Sequence, residues 1–311
     1  MTIYGADGSN GVILVTTKSG SNNKPLAISA RVNFGVATID KSTEFRMMSQ
    51  EQYLAVAKEA WTNAGNSLKT FPYQDNDYNS YSTTDTDWSK EYLGVGTNLY
   101  ADLSLTSGTK KTSNYVTGSY YKTDNTVKSD SQQRFSFRTR NSYDFTKWLR
   151  FNAQLSASYN TNNLFPLYRG FLETLPIFEP YLSDGSFRLY NKVYDEASGG
   201  WVMRKFTKNE VPAREANTNT QRSVMTSANF SVEAKIFDGL KFTSQYAIDY
   251  THSHEDIYYS RTTLSGMDSA GNPKGSSRRA DASYMNWTNV ERLNYDKRFA
   301  DRHNVSAYAG V

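Results

Sequence analysis

The sequence contains no cysteine, which excludes disulfides and thiolate metal sites. It has no run of about 18 apolar residues, so no helix in it can cross a membrane. Aliphatic residues are sparse and the mean hydropathy is −0.68, too polar for a large Leu/Ile/Val core. An excess of one charge is lacking as well. The 35 basic and 31 acidic residues are nearly balanced, and no Lys/Arg block is present, so nucleic acid is not an expected partner. The first residues lack the basic stretch and apolar core of a secretory signal.

What is present is unusual. Aromatics make up 14% of the chain, with 23 tyrosines, and Ser, Thr and Asn are abundant throughout. Disordered segments lack tyrosine and β-branched residues, so this chain is expected to fold. A polar, tyrosine-rich, β-prone composition fits a sheet with one wet face.

Period-two alternation dominates the sequence, as strands with unlike faces require. In Phe151-Asn-Ala153-Gln-Leu155-Ser-Ala157-Ser-Tyr159 one face is apolar and the other polar. The alternation predicts strands at 26–37, 97–108, 112–123, 133–145, 149–160, 222–236, 240–251, 284–297 and 302–311. Arg31, Asp102, Arg138, Arg140, Asp144, Glu233, Lys235 and Asp249 all fall on the face opposite the apolar residues. Two segments are less regular. Residues 112–123 carry small and aromatic side chains on both faces. In 284–297 Glu291 sits beside Arg292, so one of them faces the wrong way or lies at a bulge or boundary.

The gaps between these strands alternate in length. Residues 109–111, 146–148, 237–239 and 298–301 are short connections, whereas 38–96, 161–221 and 252–283 are long, with 124–132 intermediate. In an up-and-down sheet this puts every short turn at one end and every long loop at the other, the pattern of outer-membrane barrels. A sandwich has no physical reason to keep that parity. Trp148, Phe145 and Phe151 at one turn, and Tyr120 and Tyr121 at a far strand end, suit aromatic girdles. One helix interrupts the pattern. Ser49-Gln-Glu-Gln52 forms a capping box, and Tyr53, Ala57, Ala60, Trp61 and Ala64 make a helical stripe ended by Gly65. The helix either packs its own loop or docks a partner.

Near the N-terminus Ile3-Tyr4-Gly5-Ala6 is followed by Asn10-Gly11-Val12-Ile13-Leu14-Val15-Thr16-Thr17-Lys18. This stretch resembles the end of the plug domain in TonB-linked outer-membrane proteins of the SusC/RagA family, where a Tyr-Gly turn leads into an Asn-Gly-Val-Ile strand and a Thr-Thr-Lys exit. Further matches come in family order: the capped helix at 49–65, Thr86-Asp87-Trp88, the hairpin from Leu103 to Tyr121, Phe135-Ser-Phe137-Arg138, and Thr146-Lys147-Trp148-Leu149.

The resemblance implies an all-β, antiparallel, up-and-down transmembrane β-barrel fragment, about nine strands and not closed, with one short loop helix. It implies residues 1–24 as the C-terminal end of a plug domain and 25–311 as the N-terminal portion of the barrel. Tyr4, Gly5, Asn10, Gly11, Val12, Thr16 and Thr17 then form a structural plug-exit motif. Such barrels have about 22 strands and a plugged lumen, so the chain is expected to be a fragment, with Met1 a truncation point or a miscalled start. The implied function is nutrient import through the Gram-negative outer membrane, of oligosaccharides or peptides. The implied partners are outer-membrane lipid, a SusD-like surface lipoprotein, and TonB through a missing N-terminal part. The alternative is a secreted, soluble β-sheet adhesin or carbohydrate-binding protein, with its apolar faces buried against a second sheet.

No catalytic set, cofactor or metal site is expected. Gly5, Gly8 and Gly11 do not make a dinucleotide fingerprint, since no helix follows. His252 and His254 form a His-x-His pair without a third ligand nearby. Asp75, Asp77, Asp85 and Asp87 lack the glycine and distal glutamate of a calcium loop. Glu173, Glu179 and Asp184 have no suggestive spacing. The aromatics Phe165, Tyr168, Phe171, Tyr181, Phe187, Tyr190 and Trp201 either pack their long loop or stack on sugar rings. No substrate-binding residue is assigned.

Overall fold

A computed structural model describes residues 18, 20–40, 46–165, 170–206, 209–300 and 302–311. Alternating apolar and polar residues build nine long strands, β1 (Ala27–Ala37), β2 (Gly96–Gly108), β3 (Thr112–Asp124), β4 (Ser131–Asp144), β5 (Leu149–Asn163), β8 (Thr218–Phe237), β9 (Leu240–Tyr259), β10 (Ser276–Phe299) and β11 (His303–Gly310). They form one antiparallel sheet in the order β1-β2-β3-β4-β5-β8-β9-β10-β11. A separate hairpin, β6 (Tyr190–Asp195) and β7 (Gly200–Lys205), belongs to the excursion between β5 and β8. Every strand of the large sheet is hydrogen-bonded to its neighbours in sequence, so the sheet is an up-and-down meander. Its edge strands, β1 and β11, do not meet. It is an open arc of barrel wall.

The ladder registers divide each strand into two faces. One row reads Ala101, Tyr120, Phe135, Tyr159 and Val224 across β2, β3, β4, β5 and β8. The alternate row through β1 to β5 reads Arg31, Asp102, Ser119, Ser136 and Ser158. All eight charges named from the alternation lie in polar rows. The apolar row is not covered. Val32 is 68% exposed, Phe34 69% and Trp287 69%. Among the described residues no second layer packs on this face, which removes the sandwich expected of a soluble β protein.

Aromatics mark the edges of the apolar band. Tyr143 and Phe145 pack edge to face with centroids 4.6 Å apart near the short-turn end, beside exposed Trp148. Tyr120 and Phe135 pack with tilted rings, centroids 4.7 Å apart, at the other margin. Tyr121 does not join them. As the next residue along β3 it points to the polar face, opposite Tyr100 and Arg134. The Glu291–Arg292 conflict resolves without a bulge. Arg292 lies in the polar row opposite Thr243, and Glu291 lies in the apolar row, where the Ser244 hydroxyl donates to its carboxylate at 2.8 Å.

The hydrophobic core sits outside the sheet. The excursions 38–95 and 164–217 pack on one another as a cap at the long-loop end. One cluster is Leu54, Phe71, Tyr81 and Ile177; the other is Trp88, Tyr92, Phe206 and Val211; Phe178 touches both. Among the described residues the cap contains α1 (Gln50–Asn63), α2 (Trp88–Tyr92), α3 (Gly170–Glu173) and α4 (Val211–Ala216). The capping box of α1 forms as expected: Ser49 Oγ accepts from the Gln52 amide, and Gln52 Oε1 accepts from the Ser49 amide. Gly65 ends the helix at φ +81°. Its buried anchor is Leu54, with Tyr53, Ala57 and Trp61 beside it, whereas Ala60 and Ala64 are exposed. The helix packs its own loop.

Candidate functional site

The polar face of the sheet is an extended surface with convergent chemistry. Its rows are filled with Ser, Thr, Asn, Gln and paired charges. Arg150 Nε donates to Asp144 Oδ1 at 2.6 Å, Lys241 pairs with Glu233 at 3.3 Å, and Arg140 Nε donates to Gln154 at 3.0 Å. Arg31 pairs with Asp102 at 3.7 Å. A hollow on this face is lined by Lys18, Arg31, Tyr100, Asp102, Arg134 and Arg138. Such a wall presents donors and acceptors of both signs to water and to a polar solute.

The segment before β1 crosses this face at its short-turn end. The Asn23 amide donates to Thr109 O at 3.0 Å, and the Gly108 amide donates to Lys24 O at 2.7 Å. A Cβ on Gly108 would lie 2.1 Å from Ser21 O, so only glycine allows the chain to pass there. At the other end the cap leans over the polar face, since α4 and Leu264 meet the polar-face residues Ile257, Tyr259 and Asn219.

Within the cap, Arg188 is 4% exposed and holds the two excursions together. It donates to Glu179 Oε2 at 2.9 Å and to Tyr78 O at 3.1 Å, with its guanidinium 5.0 Å from the Tyr78 ring centre. Burial pushes the Tyr92 phenol up to about 12, and it does the same in direction to Tyr81. Neither tyrosine is expected to act as a base. Both are core.

The plug-exit residues Tyr4, Gly5, Asn10, Gly11, Val12, Thr16 and Thr17 lie outside the described residues, as do Gly8, Tyr168 and the side chain of Phe171. His254 faces Asp281 at 2.6 Å through Nδ1 and Asp256 at 2.8 Å through Nε2, so both ring nitrogens are occupied. His252 instead meets Ser283 at 2.9 Å. Among the described residues no group of three or more His, Asp or Glu is arranged to hold a metal. The acidic loop pairs are structural: Asp85 accepts from the Gln50 amide at 2.9 Å, Asp87 caps α2, Asp75 binds Ser82, and Asp77 pairs with Lys192. Glu179 serves Arg188 and Asp184 accepts from the Ser186 amide at 2.9 Å, and both line one hollow together with Asp85, Asp87 and Glu91. Phe165, Tyr181 and Phe187 pack on the Trp88 cluster, Tyr190 contacts Met267, and Trp201 packs on Tyr194.

Arg188 and the β6–β7 hairpin were not singled out from sequence. The hairpin had a usable signal in the Gly199-Gly200 turn, where Gly199 adopts φ +65°.

A single-layer wall, with hydrocarbon-like groups on one side and a hydrated face on the other, is what comparison with known proteins then meets. A TonB-dependent receptor of Formosa agariphila is 24% identical over 315 residues, covering 100% of this chain and 30% of the relative. A second receptor of that organism is 23% identical over 327 residues, 99% of this chain and 29% of the relative. The TonB-dependent receptor SusC of Bacteroides thetaiotaomicron is 27% identical over 134 residues, 43% of this chain and 12% of SusC. Among solved structures, the RagAB peptide importer in its closed-closed state superposes with TM-score 0.79 at 17% identity, over 99% of this chain and 36% of that one. Its open-open state gives 0.71 at 18%, with the same coverage. No family profile matches. The chain resembles part of a SusC/RagA-type TonB-dependent receptor. It spans about 30% of the length of the curated TonB-dependent receptors it matches along its whole length, and the likeness to RagAB shows the barrel-wall fold.

Proposed function

We propose that this chain forms part of the wall of a TonB-dependent importer of the Gram-negative outer membrane, not an enzyme. The observation that carries the reading is the exposure of the apolar rows. A soluble protein rarely leaves so much contiguous apolar surface in water, whereas a barrel wall turns it toward lipid. In this reading residues 1–24 end the plug and 25–311 begin the barrel, with Tyr4, Gly5, Asn10, Gly11, Val12, Thr16 and Thr17 guiding the plug exit. The path of residues 20–24 along the polar face into β1 supports that boundary. The polar rows then line the lumen, plug movement opens it, and the cap meets the substrate or a SusD-like lipoprotein. The substrate is an oligosaccharide or a peptide. TonB engages sequence outside this chain.

Fractionation of the native full-length product tests this. The protein is expected in the outer-membrane pellet and to need detergent for release. Recovery in the soluble fraction without detergent would overturn the reading.

A further inference from the structure

Charge is spread unevenly over the polar face. The hollow around Asp102 is lined by four basic side chains, Lys18, Arg31, Arg134 and Arg138, against two carboxylates, Asp102 and Asp249. A second hollow, of about 550 Å³, opens at the short-turn end, where six basic side chains face only Asp144 and Glu233. Ten basic and four acidic side chains leave an excess of six positive charges, more than the net +4 of the whole chain. Both lower carboxylates are taken, Asp144 by Arg150 and Glu233 by Lys241. Lys110, Lys111, Lys147 and Lys235 line the same hollow and, among the described residues, form no ion pair. Arg134 and Arg138 form none either, and Asp249 stands three strands from Arg138 in its row, beyond Ser156 and Ser227. The cap hollow is the opposite case. Five of its six carboxylates already hold a local donor, as Asp77 holds Lys192.

We propose that the polar face of β4 and the basic hollow below it form a track for a solute that carries several oxyanion groups. Like charges gathered in a hollow focus a positive potential and raise the local concentration of anions, and rings of Arg and Lys are what anion-selective pores use. The guanidinium fork also matches a carboxylate or phosphate with two parallel hydrogen bonds. Arg134, Arg138 and Arg140 follow one another down the same face of β4. At ~3.3 Å per residue they stand ~13 Å and ~7 Å apart. Separate, hydrated stations of this kind hold an anion loosely enough to pass it on, which conduction requires. A neutral solute gains nothing from them. The track rests on the importer reading for its role, since its residues are those assigned to the lumen. It specifies the charge of the solute and not its backbone.

Titration calorimetry on the purified full-length protein in non-ionic detergent tests the track. The probes are hexagalacturonate and hexaglutamate, which share carboxylates on different backbones, and neutral maltohexaose. At least one anionic probe is expected to bind and maltohexaose not, and whichever anion binds identifies the backbone. Raising the salt from about 0.05 M to about 0.5 M should weaken that binding steeply, since these charges are open to screening. Arg134→Gln combined with Arg138→Gln should weaken it about tenfold or more, the effect of a lost hydrogen bond to a charged group. Arg134→Lys combined with Arg138→Lys keeps both charges and should stay within about threefold of the parent. Lys69→Gln combined with Lys274→Gln removes as much charge from exposed positions at the long-loop end and should change nothing. Equal binding of maltohexaose, an undiminished Gln double variant, or an equal loss in the Lys69/Lys274 variant overturns the proposal. So does failure of both anionic probes, the result expected if acidic groups of the plug already occupy the arginines. Each of these failures leaves the importer reading standing, because fractionation tests that separately. A soluble protein that still binds the anions would do the reverse.

Discussion

Gly108 shows how one residue joins the chain's first described segment to the sheet. Its amide holds Lys24 O, and the space a side chain would need is filled by Ser21 O, 2.1 Å from an ideal Cβ, and by Thr112 O at 2.8 Å. Both obstacles are backbone and cannot rotate away. Gly108→Ala should therefore release residues 20–24 from the β2–β3 turn without unfolding the sheet. Hydrogen exchange is the measurement: the Gly108 and Asn23 amides should exchange about tenfold faster or more, as local opening requires, while amides of β8 and β9 stay unchanged. Tyr92 makes a second prediction at this scale. Its ionisation lies near 10.0 in an unfolded chain and is pushed up to about 12 in the cap by burial. Between those pH values the unfolded state gives up a proton that the folded cap keeps, so the unfolded state binds fewer protons and stability falls as pH rises. The cap contribution is intact below pH 10 and lost toward pH 12. Near-ultraviolet dichroism of the cap aromatics should fade across that window before far-ultraviolet dichroism of the sheet does. Simultaneous loss of both would show that the cap is not a separate unit.

A strand in this sheet is legible wherever its two faces meet different solvents. All nine long strands were expected from alternation, and the structure places them where expected. The upper ends of β8, β9 and β10 were missed: β9 runs on to Tyr259 and β10 begins at Ser276, so residues 252–259 and 276–283, expected as loop, are strand. A strand of 20 residues such as β9 is about 65 Å long at ~3.3 Å per residue. Tilted by ~40° it stands about 50 Å tall, against an apolar band of ~25 Å. Beyond the band the outer face also meets water, and its His252, His254, Asp256 and Arg279 carry no apolar alternation to detect. The cap was illegible for another reason. Its contacts join distant residues, as when the Lys192 amide donates to Asn79 Oδ1 at 2.9 Å, and no local pattern encodes them. Neighbouring positions on β9 test the face assignment directly. Ile248 is 45% exposed in the apolar row and Asp249 occupies the polar row. Ile248→Arg should cost about 2–4 kcal/mol of barrel stability if it faces the bilayer midplane. Asp249→Arg should cost less than about 1 kcal/mol, because its side chain stays hydrated. Urea unfolding of the protein refolded into lipid vesicles reads both, and equal costs would refute the assignment.

At the scale of the whole molecule, parity of the connections turns the meander into an oriented object. Residues 109–111, 145–148, 238–239 and 300–302 join strands at one end, and 38–95, 125–130, 164–217 and 260–275 join them at the other. The cap and the hairpin turn near Ser198 share the second end, so in the proposed importer one insertion event exposes both to one side of the membrane. In outer-membrane barrels the short turns are periplasmic. Because the chain has no cysteine, single introduced thiols report position without background from these residues. Ser198→Cys in the β6–β7 turn and Lys147→Cys in the β4–β5 turn are both surface substitutions far from the two core clusters. On intact cells a membrane-impermeant maleimide should label the Ser198→Cys protein fully and leave the Lys147→Cys protein unlabelled until the outer membrane is opened. Labelling of both on intact cells would mean that the strands do not cross a bilayer. Labelling of the Lys147→Cys protein alone would keep the barrel and invert it, placing the cap in the periplasm.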